Sequence, residues 1–198
     1  SREVYGGTSD YVHAEQKVDI RMCENSYAAS KLAGEAMVWS YFRSYHLPFI
    51  IYRFANVYGM YDVSNRVIPF FLQKLSKNLP ISIYGKDKLL DFTYIDDTIH
   101  GLTLGMNRFS KVCNNAYNIA SGAGVRIVNL AHDLKNRLNS RSKISITDNR
   151  TGEMVRFVAD IRLAKKRLGY RPLVTMRDGL DRSVEWYRSC GLVRPSAA

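Results

Sequence analysis

The sequence predicts an α/β protein with a largely parallel sheet, and three observations support that fold class. Segments with helical periodicity alternate along the chain with short runs rich in β-branched and aromatic residues. The run FIIYRF, residues 49–54, is apolar at nearly every position, as is typical of a strand covered on both faces. Hydrophobic residues make up 46% of the 198 positions, which is enough to bury a core. We therefore expect helices packed against a parallel sheet.

Six segments have the spacing of apolar residues expected for helices. The first covers approximately residues 26–45, with small apolar residues in its first half and aromatic residues in its second half. In the second, RVIPFFLQKLSKN, the proline lies near the start, where a helix tolerates it. In the third, DDTIHGLTLGMN, two acidic residues favour a helix N-terminus. The others are predicted at RIVNLAHDLKNRL, at about 160–168 and at about 176–189.

Short β-rich runs separate these helices. After FIIYRF, the segment NVYGMYD is predicted to form a turn, and ISIYG and DFTYI are predicted to be strands. NNAYNIASG is predicted to be a strand followed by a turn, and KISIT a further strand.

Charge and composition limit the classes of function. The net charge of +11 indicates an anionic partner, either nucleic acid or a phosphorylated small molecule. The basic residues are spread out and form no RNA-recognition signature, so a solvated basic surface is favoured over nucleic-acid binding. No run approaches the roughly 20 apolar residues of a membrane span. The three cysteines and four histidines have no paired spacing, which predicts reduced thiols, no metal site and a cytoplasmic location.

The stretch NSYAASKLAGE, residues 25–35, places Tyr27 and Lys31 four residues apart in the first predicted helix. Four residues are about one helical turn, so both side chains leave the same face. A tyrosine beside an ammonium group can accept a proton, because the positive charge favours the phenolate. Chance also produces such pairs in a chain with 13 tyrosines, and a second pair, Tyr84 and Lys88, lies in a predicted turn. The spacing alone therefore leaves open a packing tyrosine beside a solvated lysine.

A series of short motifs resembles the carboxy-terminal part of a known family. In order, the chain contains SREVYGG, SYAASKLAGE, YRFANVYG, GKDKLLDFTYIDD, YNIASG, ADIRLAKKRLGYRP and GLDRSVEWY. The series resembles the extended short-chain dehydrogenase/reductases, the NAD-dependent nucleotide-sugar epimerase/dehydratase family, over nearly all 198 residues. Each motif is weak alone, but their shared order and spacing are specific.

The resemblance implies a partial Rossmann-like, doubly wound sheet with a smaller α/β substrate-binding domain. Residues 1–60 would be a remnant of the NAD-binding domain and include the YxxxK helix. Residues 61–198 would form mainly the substrate-binding domain, with 96–140 partly returning to the Rossmann-like sheet. No strand in the sequence is followed by the glycine-rich turn of a dinucleotide site, which in this family lies further toward the amino terminus. We therefore expect the sequence to be a fragment.

The resemblance also implies a catalytic site. Tyr27 would remove a proton from a sugar hydroxyl while NAD accepts hydride from the same carbon, and Lys31 would favour the phenolate and bind the nicotinamide ribose. Ser1 would orient the same hydroxyl. Glu3 would act at the neighbouring sugar carbon, with a surface acid beside Arg2 as an equal alternative. The 4,6-dehydratases usually have Asp-Glu at these two positions, and because an arginine cannot replace that acid, epimerisation or decarboxylation is favoured over dehydration.

The nucleotide contacts also follow from the resemblance. Asn56, the strand from Ser82 to Tyr84 beside the base, and Arg150 with Glu153 would hold the nucleotide diphosphate. The alternatives are that Asn56 is a turn residue and that Arg150 is a solvated cation.

One position departs from the family pattern. Leu90 stands where the family commonly has an arginine that contacts the diphosphate, and Lys86 or Lys88 would have to replace it. This departure leaves the identity of the nucleotide sugar open.

Two expectations follow for the chain as a whole. Without the phosphate-binding turn, we expect weak or no NAD binding, so a catalytically inactive truncated fragment or a nucleotide-sugar-binding module is the alternative function. Family members commonly dimerise through the helix that bears Tyr27, so a homodimer is expected.

Overall fold

The computed structural model describes residues 1–7, 11–149 and 154–193. Short 3₁₀ turns lie at Arg2–Tyr5, Glu15–Lys17 and Ile20–Met22. Six helices of the described chain confirm the six predicted segments, with ends within a few residues of those expected, and the short helix Phe109–Val112 was not predicted. No helix in these ranges is long and apolar enough to cross a bilayer. The helices are α1 (Ser26–Tyr45), α2 (Val67–Ser76), α3 (Ile95–Asn107), α4 (Phe109–Val112), α5 (Ile127–Arg137), α6 (Arg162–Leu168) and α7 (Met176–Ser189).

The strands include several that the sequence did not predict. They are β1 (Val12–His13), β2 (Ile50–Phe54), β3 (Asn56–Tyr58), β4 (Ile81–Tyr84), β5 (Leu89–Tyr94), β6 (Asn115–Ile119), β7 (Gly124–Arg126), β8 (Ile144–Thr147) and β9 (Arg156–Ala159). The prediction of a turn at NVYGMYD is wrong for its first half, because β3 pairs in parallel with β5.

Parallel pairing dominates the sheet topology. The largest sheet has the order β1-β9-β5-β3, and β7 adds to β5 as an antiparallel strand. β2 pairs in parallel with β6, and β4 pairs in parallel with β8. Parallel strands connected through helices are the α/β architecture predicted from the sequence, so the fold class is confirmed.

Two hydrophobic clusters form the core. The larger joins α2, α5 and α7 to strands β3, β4 and β5. The smaller surrounds Tyr117, Leu168 and Tyr170 and packs against β2. The prediction that FIIYRF is buried on both faces is wrong, since Arg53 is the one fully buried residue of β2. Ile50, Tyr52 and Phe54 pack against the smaller cluster, whereas Ile51 borders the cleft described below.

α1 is well bounded but poorly covered. The Asn25 side chain accepts a hydrogen bond from the Ala28 amide at 2.9 Å and caps the first turn. His46, in the left-handed region at φ 55°, ends the helix. Ala28 is the one fully buried residue of α1, and Met37 and Tyr41 are exposed. Most of this helix therefore faces outward in the described part of the chain.

A candidate active-site cleft

A cleft of about 1540 Å³ lies between the amino end of α1 and the strands β3 to β5. It contains every predicted site residue that the structure describes, from both the proposed catalytic set and the proposed nucleotide set. Arg150 and Glu153 lie outside the described residues. The predicted residues that line the cleft are Ser1, Glu3, Tyr27, Lys31, Asn56, Ser82 and Tyr84.

Tyr27 and Lys31 lie on one face of the first turns of α1. The Lys31 Nζ lies 5.2 Å from the centre of the Tyr27 ring. The Tyr27 side chain is 54% exposed and opens into the cleft, so it is not a packing residue sealed in the core. The Lys31 ammonium group therefore lies over the face of the Tyr27 ring, and both side chains line the cleft.

Ser1 precedes the 3₁₀ turn Arg2–Tyr5, and Glu3 lies on it. Both residues line the cleft together with Tyr27 and Lys31. The Ser1 Oγ accepts a hydrogen bond from the Glu3 amide at 3.3 Å, which caps the turn. The Glu3 carboxylate pairs with Arg2 at 3.0 Å, and both side chains are largely buried. Glu3 is therefore a cleft residue with a fixed cationic partner and not a freely solvated acid.

A buried ion pair fastens α1 to the sheet. Glu35 follows Lys31 by one helical turn, and its carboxylate accepts two hydrogen bonds from Arg53 of β2, at 2.9 and 2.6 Å. Arg53 also donates to the Tyr5 hydroxyl at 3.2 Å. Since Tyr5 ends the turn that begins after Ser1, one guanidinium contacts both segments that bear predicted catalytic residues.

The Tyr5 hydroxyl continues this network. It donates to the Asn118 side chain of β6 at 2.6 Å, and burial raises the pKa of Tyr5 to about 12. The hydroxyl is therefore a neutral donor at physiological pH. The sequence analysis did not predict this network, although Arg53, a charged residue within a predicted buried strand, was a signal for it.

The side of the cleft that contains the predicted nucleotide contacts is formed by β3, β4 and β5. The Asn56 side chain donates to the Asp91 carbonyl at 2.7 Å, so Asn56 joins β3 to β5 and is not a turn residue. The Ser82 hydroxyl lies 3.1 Å from the Ser145 hydroxyl of β8. Tyr84 ends β4, and the second Tyr/Lys pair therefore spans a strand end and a turn, as predicted.

The cations that line this end of the cleft are only partly those considered from the sequence. Leu90 is 4% exposed and lines the cleft without any charge. Lys88 lies on the cleft wall, whereas Lys86 lines a separate surface depression beside Gly85. Arg66, just before α2, also lines the cleft. Sequence reasoning missed Arg66, because its contribution depends on the path of the loop that precedes α2.

No group of three or more His, Cys, Asp or Glu side chains that could hold a metal ion is present among residues 1–7, 11–149 and 154–193. The cysteines Cys23, Cys113 and Cys190 are free thiols.

Comparison of the sequence with known proteins identifies a family and several relatives. The model of the NAD dependent epimerase/dehydratase family matches residues 1–120. The dTDP-D-glucose 4,6-dehydratase of Homo sapiens is 31% identical over 193 residues, covering 94% of this chain and 54% of that protein. The UDP-glucuronate 4-epimerase 4 of Arabidopsis thaliana is 31% identical over 179 residues, covering 82% of this chain and 41% of that protein. The chain thus spans about half the length of the curated relatives it matches.

Solved structures agree with this comparison. A dTDP-glucose 4,6-dehydratase of Streptomyces venezuelae with NAD bound superposes with a TM-score of 0.87 at 28% identity, covering 99% of this chain and 61% of that one. The UDP-glucose 4-epimerase of Thermotoga maritima, with UDP-glucose, gives a TM-score of 0.84 at 26% identity, covering 95% and 61%.

Proposed function

Since the chain belongs to the NAD-dependent epimerase/dehydratase family, we propose that it contributes the catalytic and substrate-binding residues of an enzyme that acts on a nucleotide sugar. The observation that carries this proposal is the single cleft that brings Tyr27 and Lys31 together with Asn56, Ser82 and Tyr84. A sugar bound near the amino end of α1 and a nucleotide bound beside β4 would fill one continuous space.

In this proposal the catalytic residues handle one proton. Tyr27 removes it from a sugar hydroxyl, and the Lys31 charge stabilises the phenolate. Ser1 orients the hydroxyl. NAD, when bound, accepts a hydride from the same carbon, and Tyr27 and Lys31 are the residues here that would hold its nicotinamide ribose. The exposed phenol beside an ammonium group fits that cofactor.

The neighbours of Glu3 bear on the type of reaction. Dehydration needs an acid that protonates the departing hydroxyl, and Arg2 cannot serve as one. Glu3 is paired with Arg2, so the residue beside the Glu3 carboxylate is a cation and not the second acid that dehydration would use. We therefore favour epimerisation or decarboxylation over 4,6-dehydration, although the curated relatives include 4,6-dehydratases as well as a 4-epimerase.

The nucleotide diphosphate would be bound at the opposite end. With Leu90 unable to contact phosphate, Arg66 and Lys88 are the described cations of the cleft that would replace the family's arginine. Arg150 and Glu153 remain proposed contacts.

A second candidate function is nucleotide-sugar binding without turnover. It would apply if these residues bind NAD weakly, since none of their strands is followed by the glycine-rich turn that supplies much of the affinity for NAD. Calorimetric titration of this chain with NAD tests the second candidate. Weak or undetectable binding is expected, and a micromolar dissociation constant would remove the reason for the second candidate.

Nucleotide recognition is tested by titrating the chain with UDP-glucose and dTDP-glucose. Lys88→Met should weaken binding of the preferred nucleotide sugar, because it removes a cation from the cleft. Lys86→Met is the matched control, since it removes the same charge two residues away and outside the cleft. Equal affinities for both variants would contradict the proposed diphosphate position.

Catalysis is tested by incubating the protein with the preferred nucleotide sugar and with NAD at a concentration high enough to offset the weak cofactor binding expected, and following the sugar by NMR. Tyr27→Phe should abolish turnover and leave nucleotide-sugar affinity unchanged, because only the proton acceptor is lost. Turnover retained by Tyr27→Phe would exclude Tyr27 as the base.

The larger organisation is also a proposal. We infer a division into a Rossmann-like part, residues 1–60, and a mainly substrate-binding part, residues 61–198, with 96–140 partly returning to the Rossmann-like sheet. Exposed apolar side chains on α1, among them Met37, Tyr41 and Tyr45, support a homodimer through this helix. The cytoplasmic location stays a prediction from composition.

A further inference from the structure

The loop between β3 and α2, residues 59–66, forms one rim of the cleft. Asp62, Asn65 and Arg66 of this β3–α2 loop line the cleft. The loop begins at Gly59, whose φ of 143° and short distance to Ile95 leave no room for a side chain: an added Cβ would lie 2.7 Å from Ile95. The backbone therefore enters the loop along a fixed path.

Two aromatic residues of α7 hold the middle of the loop. The Tyr187 hydroxyl donates a hydrogen bond to the Asp62 carbonyl. The Tyr61 ring lies against Trp186, with ring centres 5.2 Å apart. Burial, together with the nearby Asp62 charge, raises the pKa of Tyr187, so its hydroxyl remains a donor at physiological pH.

The backbone of Tyr61 shows that these contacts overcome strain. Its φ of 67° lies in the left-handed region, which an aromatic residue rarely adopts and which costs free energy. The Tyr61 ring is nevertheless directed to Trp186 and is otherwise mostly exposed. The contacts with α7 are the described interactions of this loop that can offset this cost.

A short chain of hydrogen bonds continues from Asp62 to the start of α2. The Asp62 carboxylate accepts from the Ser64 amide at 3.1 Å and from the Ser64 hydroxyl at 2.6 Å. The Ser64 Oγ in turn accepts from the Arg66 amide at 3.3 Å. These bonds connect Asp62 to the Arg66 backbone at the cleft.

We propose that Tyr187 and Trp186 are positioning residues for the nucleotide diphosphate, acting through the β3–α2 loop. None of the described residues that line the cleft comes from α7, so the two aromatic residues act without touching the ligand. They hold Asp62 in place, and Asp62 orders the turn that presents Arg66. This inference rests on the proposed function, because it takes the ligand to be a nucleoside diphosphate.

The test compares two tyrosines that each lose one buried hydroxyl. Tyr187→Phe removes the hydrogen bond to the loop. Tyr170→Phe is the matched control, because Tyr170 is fully buried and donates to the Ala120 carbonyl at 2.9 Å, away from the cleft. Tyr61→Asn is a second variant on the loop side, since asparagine tolerates the left-handed conformation but lacks the ring.

The readouts are calorimetric affinities for UDP and dTDP and hydrogen exchange of the amides of residues 62–66. Tyr187→Phe and Tyr61→Asn should weaken binding of the preferred nucleotide about fivefold, as expected for one lost contact, and should speed exchange of these amides. Tyr170→Phe should change neither.

The outcomes separate this inference from the proposed function. If wild-type protein binds a nucleotide and Tyr187→Phe binds it equally well, or if the loop amides exchange no faster in that variant, the positioning role is overturned. If wild-type protein binds neither nucleotide, the proposed function fails and the ligand part of the inference fails with it. The exchange measurement then still decides whether α7 anchors the loop.

Discussion

Replacing Glu35 by glutamine should destabilise the protein much more than neutralising an exposed carboxylate. Glu35 receives two hydrogen bonds from Arg53, and the two side chains are only 16% and 6% exposed. Glu35→Gln preserves the shape of the side chain but removes its charge. Arg53 is then left buried without the carboxylate that compensates its charge. Breaking a buried ion pair in this way lowers the free energy of unfolding more than replacing both partners does.

The expected loss is about 3 kcal/mol in the free energy of unfolding. Removing one partner of a buried ion pair costs about 3–5 kcal/mol. The lower end applies because the glutamine oxygen still accepts one hydrogen bond, which is worth about 1 kcal/mol. Arg53 also keeps its bonds to the Tyr5 hydroxyl at 3.2 Å and to the Glu15 carbonyl at 2.7 Å.

Urea unfolding at neutral pH, followed by circular dichroism, measures this loss. The matched control is Asp87→Asn, because Asp87 pairs with Arg126 at 4.0 Å and their side chains are 58% and 59% exposed. A pair of that kind contributes less than about 1 kcal/mol. If Glu35→Gln costs no more than Asp87→Asn, the reasoning that the ion pair fastens α1 to the sheet is refuted.

Substitutions at three other positions and one titration give further checks. Gly179→Ala should cost about 1–3 kcal/mol, because an added Cβ would lie 2.1 Å from the Tyr58 hydroxyl. Gly34→Ala should instead stabilise by about 1 kcal/mol, since nothing lies within 4 Å of its Cβ position; urea unfolding measures both. By the same method, Asp91→Asn should cost about 2 kcal/mol, because the buried carboxylate accepts four hydrogen bonds and the amide cannot. The pKa of Tyr5 is about 12 in the folded protein and about 10 in the unfolded chain. The contribution of neutral Tyr5 to the free energy of unfolding is therefore complete below about pH 10 and is lost as the pH rises through the folded pKa. Ultraviolet absorbance should therefore show some tyrosines ionising only when the protein unfolds. If every tyrosine of the folded protein titrates with a midpoint at about pH 10, this reasoning is contradicted.

The sequence predicted the elements whose evidence is local. α1 and α7 end where expected, because capping residues and apolar spacing are properties of neighbouring positions. The strands β1 and β7 have two and three residues and exist through pairing with distant strands, so no local pattern distinguished them from loop. The start of β3 was predicted as a turn for the same reason, since its partner lies in β5.

The candidate site shows the same division. The spacing of Tyr27 and Lys31 on one helical face was evident from the sequence, but their location in a cleft with Ser82 and Tyr84 required the resemblance to a family. The partner of Arg53 could not be identified from the sequence, because Glu35 lies 18 positions away on a different element. The substitution of Leu90 was visible in the sequence, whereas the presence of Arg66 on the same wall depended on the fold.

The long-range pairing of the buried network has a consequence for biosynthesis. The hydrogen bond from Tyr5 to Asn118 spans 113 positions, and the one from Asn118 to the His13 carbonyl spans 105. A nascent chain cannot form these contacts until Asn118 has left the ribosome, and domains of high contact order fold slowly. During that interval side chains that are buried in the folded protein, such as Tyr5, stay accessible to other molecules, so we expect newly made protein to depend on chaperones.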